Sequence, residues 1–357
     1  MLVESRKGNI QLRKILVYFW ACPAVMFSFC AHAADTPAAG ESGARARIVV
    51  VGNPGAMVAF EPQEAIVQGM VDQGILKLTG KPALKEAWRT FVSPKDVVGI
   101  KVYSGPGANS GTRPAVVGAV VKGLLRTGLP PSHIIIWDRR LLDLRLAGFD
   151  ALAQHYKVRL AGATDSGFDD TVYYDSAIMG SLSAGDLEFD RDGKTTGRRS
   201  YLSKLVTKTV TKIINVSPLL NHNLAGVCGN LYSLSMGSID NTLRFEGSAE
   251  RLATAVPEIY AKRALSDHVV LNITDALIGQ YQGEQMSLLH YSTELNQIWF
   301  SKDPVALDVT AIRELDQERQ DRDLLQGNDN PDLFKNASFF LELGVSDPAK
   351  IQIETIK

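Results

Sequence analysis

The stretch VVGIKVYSGPGANSGTRPAVVGAVVKGLLRTGLPPSHIIIWD (97–138) determines the fold class of this chain. It holds an apolar run at 97–102, a glycine-rich loop at 104–112, a segment with helical spacing at 113–128 and a second apolar run at 133–137. A strand, a loop, a helix and a strand in this order form a βαβ unit, in which the two strands run parallel. The stretch therefore predicts an α/β fold.

The flanking sequence continues this alternation of strands and helices. Apolar runs predict further strands at 48–51, 158–162, 212–216, 268–274, 297–300 and 350–356. Helical spacing predicts helices at 62–78, 303–315 and 331–344, the second of them capped by Asp303. Residues 164–210 are polar and glycine-rich, which predicts an insertion with short antiparallel strands. We expect a mostly parallel or mixed sheet with helices on both faces and this polar insertion.

The N-terminus has the pattern of a secretory signal peptide. Basic residues precede the apolar run 15–30, and small residues follow it. We expect residues 1–33 to be removed by cleavage after Ala33, residues 34–46 to form a flexible lead-in and residues 47–357 to form the folded domain. The mature protein would then be periplasmic or secreted, with no stable membrane span. An uncleaved anchor, a lipoprotein and twin-arginine export are the alternatives.

Composition and cysteine content exclude several classes of protein. The 357 residues are 45% hydrophobic and 22% charged, with a net charge of −1, so no excess of positive charge favours a nucleic-acid partner. Removal of the signal peptide would remove Cys22 and Cys30 and leave Cys228 alone. We therefore expect neither an intramolecular disulfide nor a cysteine-ligated iron–sulfur cluster in the mature chain.

Charged residues follow several of the predicted strands. Ligands of open parallel sheets bind beyond the carboxyl ends of strands, so these residues are candidates for a site. Lys101 and Arg113 flank the glycine-rich loop, Asp138 and Asp275 each follow a strand, and Asp308 lies on a late helix. We expect Lys101 and Arg113 to bind an acidic group of a small-molecule ligand or substrate. For the two strand-end aspartates, helix capping is the alternative.

The segment LLNHNLAGVCGN (219–230) is the most distinctive candidate. It places His222 between Asn221 and Asn223 and two glycines around Cys228, beyond the strand predicted to end at 216. A histidine titrates close to neutral pH and is suited to acid–base catalysis. A structural histidine and a small buried cysteine are the alternatives.

Two classes of function stay open for this segment. In an enzyme or a metal- or cofactor-dependent protein, His222 would act as general acid–base, and Asp138 or Asp275 would orient it or help to hold a metal. In a non-catalytic periplasmic module that binds a ligand or partner, Asn221 and Asn223 would supply hydrogen bonds. No ligand spacing supports a particular metal, and the cofactor and oligomeric state stay unknown.

The order of these motifs resembles the bacterial and archaeal family DUF362. The resemblance rests on IK (100–101), IWD (136–138), LNH (220–222), CG (228–229), ITDA (273–276) and DPVALD (303–308). It implies the α/β fold and the place of the site at the strand ends. It implies no particular reaction. Some members carry an added iron–sulfur module, which we expect this chain to lack.

The chain also departs from the family pattern at the expected site. Leu220 stands where the family has lysine, Tyr232-Ser233 replaces a Lys-Asn pair, and Val102-Tyr103 replaces Pro-Asn. These departures remove two positive charges. The chain is therefore expected to be a divergent member.

A second resemblance concerns residues 111–140. The turn Gly111-Thr112-Arg113-Pro114, the helix after it and GLPPSHIIIWDRR (128–140) are similar to the N-terminal βαβ unit of lactate-racemase-type proteins. That resemblance implies a Thr-Arg-Pro turn that holds a nickel-pincer nucleotide. The second histidine signature of that chemistry is not evident, so lactate-racemase-like chemistry is a further alternative.

Overall fold

The structure is a computed structural model that describes residues 45–283 and 285–357. The predicted signal peptide (1–33) and residues 34–44 of the predicted lead-in lie outside the described residues. The first strand begins at Ala46, one residue before the predicted start of the domain.

The secondary structure alternates between strands and helices along most of the chain. The strands are β1 (Ala46–Gly52), β2 (Met57–Val58), β3 (Glu61–Pro62), β4 (Val98–Val102), β5 (Ile134–Asp138), β6 (Arg159–Gly162), β7 (Phe168–Ser181), β8 (Thr196–Ser203), β9 (Lys212–His222), β10 (Gly226–Val227), β11 (Val269–Gln280), β12 (Ser292–Ser301) and β13 (Ile351–Ile356). The helices are α1 (Glu64–Thr79), α2 (Leu84–Arg89), α3 (Gly107–Ser110), α4 (Pro114–Arg126), α5 (Leu141–Leu146), α6 (Phe149–Tyr156), α7 (Asn230–Gly237), α8 (Ala249–Tyr260), α9 (Arg263–Ser266), α10 (Pro304–Gln320) and α11 (Pro331–Lys335).

The main sheet is mixed, with a long parallel part. Its strand order is β13-β1-β12-β11-β9-β4-β5-β6, and β10 pairs with β9. Neighbouring strands from β6 to β11 run parallel, whereas β12 runs antiparallel to both β11 and β1. Strands β7 and β8 form a separate antiparallel hairpin inside the predicted polar insertion. The predicted fold class is confirmed.

Helices cover both faces of the main sheet. Helices α1, α2, α4 and α6 pack on one face, and α7, α8 and α10 pack on the other. The side chains of strand β5 alternate between these two faces. Ile134 and Ile136 pack in the apolar layer under α1, α2, α4 and α6, whereas Ile135 and Trp137 pack in the layer under α7, α8 and α10. A strand that is buried on both faces has no polar alternation, which explains its continuous apolar run.

The prediction that a strand ends at Val216 is wrong. Strand β9 continues to His222, because β11 continues beside it and supplies backbone partners. Gly226 has a φ of 86°, a left-handed conformation that favours glycine, and it turns the chain so that β10 pairs back on Asn221 and His222. The segment LLNH therefore belongs to a strand, and the residues after it form a tight hairpin.

The two predicted C-terminal helices also differ in length from the prediction. Helix α10 begins at the Asp303 cap, whose carboxylate accepts a hydrogen bond from the Ala306 N–H at 2.8 Å, and it runs to Gln320 rather than to 315. The helix predicted at 331–344 comprises α11 and a π-helical turn that ends at Phe340. Glu342 has a φ of 52°, which no helix accommodates, so the helix stops before it.

Candidate functional site

Lys101 and Asp138 form a buried ion pair where β4 and β5 end. The Lys101 ammonium lies 2.9 Å from the Asp138 carboxylate and also donates to the Ser233 hydroxyl at 3.1 Å. Asp138 accepts further hydrogen bonds from the Ser104 N–H and hydroxyl, both at 2.7 Å, and from the Arg139 N–H at 2.8 Å. Burial lowers the pKa of Lys101, although Asp138 partly offsets this effect. The two charges therefore neutralise each other inside the protein.

Arg113 and Asp275 form a second buried ion pair. The Asp275 carboxylate accepts from the Arg113 backbone N–H at 2.8 Å and from its guanidinium at 3.0 Å. Asp275 does not end its strand, since β11 continues to Gln280. The neighbouring Thr112 donates its hydroxyl to the Val216 carbonyl at 2.7 Å. The Thr-Arg-Pro turn is therefore fixed to the sheet by its own side chains.

Asp308 caps helix α7 from a different helix. Its carboxylate accepts from the backbone N–H groups of Asn230 at 2.6 Å and Leu231 at 2.9 Å, which are unpaired donors of the first turn. Burial raises the pKa of Asp308 to about 7, against these hydrogen bonds, which lower it. Asp308, which is 2% exposed, therefore holds α7 in place.

His222 is a buried, neutral histidine. It is 5% exposed, and its Nδ1 accepts hydrogen bonds from the backbone N–H groups of Leu224 and Ala225, each at 3.1 Å. Burial lowers its pKa to about 4, because the protonated ring would lose its hydration. At neutral pH the ring carries no charge. It therefore does not titrate where a general base is most effective.

The tautomer of His222 determines the orientation of Gln285. Because Nδ1 accepts, the neutral ring carries its proton on Nε2 and donates there. The side-chain amide of Gln285 lies 2.8 Å from Nε2 and 3.1 Å from the Tyr232 hydroxyl, and its other end meets the Tyr103 hydroxyl. These partners are satisfied when the amide oxygen faces His222 and the amide nitrogen faces Tyr103. His222 thus orients a loop residue.

The remaining polar groups of 219–230 are also engaged. The Asn221 amide donates to the Asn223 side chain at 2.7 Å and accepts from Arg319. The Cys228 thiol donates to the Asn221 carbonyl at 3.7 Å, and burial raises the pKa of this thiol well above its usual value. Cys228 is therefore a neutral thiol with the character of a small apolar residue, which is one of the alternatives left open for its segment.

A cavity of about 280 Å³ opens beyond the carboxyl ends of β4 and β5. We call it the strand-end cavity; it is lined by Tyr103, Gly105, Pro106, Asp138, Arg139, Arg140, Asp143, Tyr232, Met236, Gly237, Glu246 and Gln285. His222 lies behind this wall, with its ring 4.4 Å from the ring of Tyr232. The expected position of a site at the strand ends therefore coincides with an open cavity, although His222 itself is not at its surface.

Two ion pairs on the wall of the strand-end cavity differ in the distance between their charged atoms. Arg140 and Asp143 are 2.9 Å apart and belong to one helical turn. Arg139 and Glu246 come from separate segments and are 3.8 Å apart, with side chains 32% and 33% exposed. Arg139 also donates to the Thr242 hydroxyl. The Arg139–Glu246 pair is loose and open to solvent.

Of the sequence-predicted site residues, Asp138 alone among the described residues lines the strand-end cavity. Lys101 does not line the cavity but contacts Asp138, which does. The remaining predicted residues make their contacts away from the cavity: Arg113, Asn221, His222, Asn223, Asp275 and Asp308. Sequence reasoning missed Tyr103, Tyr232, Glu246 and Gln285 as lining residues. Arg139 and Arg140 could have been predicted as lining residues, because they directly follow an aspartate at the end of a strand.

Two general features complete the description of residues 45–283 and 285–357. Within these residues, no helix combines the length and the apolar character needed to cross a membrane. The same residues include no group of three or more His, Cys, Asp or Glu side chains that could hold a metal ion.

Comparisons with known proteins identify the family of the chain. A protein of Thermotoga maritima, whose crystal structure was determined by the Northeast Structural Genomics Consortium, is similar over 75% of this chain and 61% of its own, at 11% identity and a TM-score of 0.40. The chain thus spans less than two thirds of the length of that protein. No curated protein matches the chain. The profile of the family described as a domain of unknown function, DUF362, matches residues 98–313, and the chain belongs to this family.

Proposed function

We propose that this protein binds a small polar molecule in the strand-end cavity and holds it without chemical turnover. The observation that carries the proposal is that the charged pairs near the strand ends differ in their burial. The Lys101–Asp138 and Arg113–Asp275 pairs are buried and fully engaged, whereas Arg139 of the cavity wall is open to solvent. A volume of about 280 Å³ suits a small metabolite rather than a polymer.

The state of His222 supports binding over catalysis. A general base needs access to the substrate and a pKa near the working pH. His222 has neither, because Gln285 and Tyr232 separate it from the cavity and its pKa is about 4. Its hydrogen bonds instead fix the Gln285 amide, which lines the cavity. In this proposal His222 is a positioning residue.

The proposal includes export of the protein. The charge pattern and apolar run of residues 1–33 support a periplasmic or secreted location, where the cavity would meet ligands outside the cytoplasm. N-terminal sequencing of the protein recovered from the periplasm tests this part. A chain that begins at Ala34 supports export with cleavage, and an intact Met1 in a cytoplasmic fraction contradicts it.

A cavity-filling variant tests the binding proposal. Gly105 lines the strand-end cavity, and an added Cβ there would meet no atom within 4 Å. Gly105→Trp should therefore occupy the cavity without disturbing the fold. Gly69→Trp is the matched control, because Gly69 also has no neighbour within 4 Å of an added Cβ and lies on α1, which does not line the cavity.

The measurement is a thermal-shift screen of amino acids, organic acids, sugars, amines and nucleotides. We expect at least one compound to stabilise the wild type and Gly69→Trp but not Gly105→Trp, because binding to the folded state raises the melting temperature. Native mass spectrometry of each purified protein detects a ligand that copurifies. If no compound binds, or if Gly105→Trp binds as well as Gly69→Trp, the proposal is wrong.

A further inference from the structure

We infer that the ligand of the strand-end cavity is a zwitterion, with a carboxylate that binds Arg139 and an ammonium group that binds Glu246. The inference rests on the proposed function and adds the chemical class of the ligand. Its basis is the Arg139–Glu246 pair, which places two opposite charges next to each other on the cavity wall.

The Arg139–Glu246 pair is open enough to be replaced by a ligand. Its atoms are 3.8 Å apart, beyond hydrogen-bond distance, and both side chains are about one third exposed. The Arg140–Asp143 pair at the same cavity serves as a comparison, because its 2.9 Å distance is a complete hydrogen bond within one helical turn. A ligand would displace the loose pair at a smaller cost than the tight one.

Arg139 is anchored at its backbone and at its guanidinium, and Glu246 follows a buried segment. The Arg139 backbone N–H donates to Asp138 at 2.8 Å, and its guanidinium donates to the Thr242 hydroxyl. Glu246 directly follows Arg244 and Phe245, which are buried. The Arg139 guanidinium therefore needs little ordering on binding, which favours affinity.

The charge balance of the pair favours a zwitterion over an ion of one sign. A simple anion on Arg139 would meet repulsion from Glu246, and a simple cation on Glu246 would meet repulsion from Arg139. A ligand with both charges gives each group a partner and leaves neither uncompensated. Complementary charges of this kind determine specificity more than total affinity.

The rest of the cavity wall determines the remainder of the ligand. The partly buried ring of Tyr103 and the buried ring of Tyr232 lie 6.4 Å apart in an edge-to-face arrangement, and Met236 lies beside them. These groups suit an apolar or aromatic side chain. The class of ligand is therefore an α-amino acid or a similar small amino carboxylate with an apolar side chain.

The test uses sets of three compounds that differ only in charge. For leucine the set is leucine, isoamylamine and 4-methylpentanoate; for phenylalanine it is phenylalanine, phenethylamine and 3-phenylpropionate. Isothermal titration calorimetry measures each dissociation constant at pH 7.5. We expect at least one amino acid to bind about five- to tenfold more tightly than both of its analogues, as each partly exposed charge pair contributes about 1 kcal/mol.

Three variants assign the two charges. Glu246→Gln should remove the preference for the amino acid over its acid analogue, and Arg139→Gln should remove the preference over its amine analogue. Arg145→Gln is the control, because Arg145 is on α5 but does not line the cavity. Its affinities should equal those of the wild type.

The outcomes separate the inference from the proposed function. Equal binding of the amino acid, the amine and the acid overturns the inference, and so does a preference that survives both cavity variants. If no member of either set binds while a compound other than an amino carboxylate binds wild type and not Gly105→Trp, the zwitterion is wrong and the binding function stands. If no compound binds at all, both are wrong.

Discussion

We expect the contribution of His222 to the stability of this protein to decrease as the pH falls. The ring is buried and accepts two backbone hydrogen bonds at Nδ1, and burial lowers its pKa from 6.5 to about 4. The unfolded chain therefore binds a proton at a higher pH than the folded chain does. Linkage requires the contribution of His222 to stability to be complete above pH 6.5 and to be lost as the pH falls towards 4.

The magnitude follows from the two pKa values. The pKa of His222 is about 4 in the folded chain and 6.5 in the unfolded chain. At pH 4.5 the protonated ring therefore exceeds the neutral ring by about a hundredfold in the unfolded chain, whereas about one quarter of the rings are protonated in the folded chain. The resulting loss of unfolding free energy between pH 7.5 and pH 4.5 is about 2.5 kcal/mol.

Two buried carboxyl groups act in the opposite direction. Burial raises the pKa of Asp308 to about 7 and that of Asp240 to about 6, from 3.8. Their folded forms hold a proton that the unfolded chain releases, so their contribution falls as the pH rises from about 4 to about 7. The pH profile of the wild type alone therefore mixes opposing effects, and a variant is needed to isolate His222.

The assay is urea unfolding of the wild type and of His222→Gln at pH 7.5 and pH 4.5. We expect the stability difference between the two proteins to shrink by about 2.5 kcal/mol at the lower pH, because glutamine does not titrate. A difference that is the same at both pH values would refute the reasoning. It would mean that His222 stays accessible to protonation in the folded state.

Two further substitutions test the buried contacts at the strand ends, each by urea unfolding at pH 7.5. Lys101→Met should lower the unfolding free energy by about 3–5 kcal/mol because it leaves Asp138 buried without a cation. Lys77→Met, at an exposed pair, should cost much less, and equal losses would contradict the buried pairing. Gly226→Ala should cost about 2–4 kcal/mol, since φ is 86° and an added Cβ would lie 3.1 Å from the Asp329 backbone oxygen and 2.8 Å from the Ile312 Cδ1. Gly193→Ala, with a φ of 71° and no neighbour within 4 Å, should cost only the backbone strain of about 1–2 kcal/mol, and a loss as large as that at Gly226 would rule out the steric argument.

The fold could be predicted from sequence because its strands are buried on both faces. The apolar runs at 97–102 and 133–137 have no polar alternation, and each becomes a central strand, β4 and β5. The end of β9 could not be predicted in this way. Residues 217–222 include serine, proline, asparagine and histidine, and they extend as a strand because β11 lies beside them. Tertiary pairing, rather than local composition, sets that boundary.

The candidate site could be predicted only as a location. Asp138 and the arginines after it lie at the cavity because a strand-end position follows from local sequence. The partner of a charged side chain does not follow from local sequence, since the Lys101–Asp138 pair depends on the parallel register of β4 and β5. Glu246 and Gln285 lie outside regular elements and reach the cavity only through the packing of distant segments. No spacing in the sequence relates them to it.

The family pattern and the departures from it have different roles in this structure. Lys101, Asp138 and Asp308, which match the DUF362 pattern, hold the strand ends and helix α7 in place. Tyr103 and Tyr232, at positions where this chain departs from the pattern, line the cavity. A lysine at the position of Tyr232 would add a positive charge to the same wall and would favour a more acidic ligand. Under the proposed function we therefore expect Tyr103 and Tyr232, together with Asp138, to influence which molecule the cavity binds.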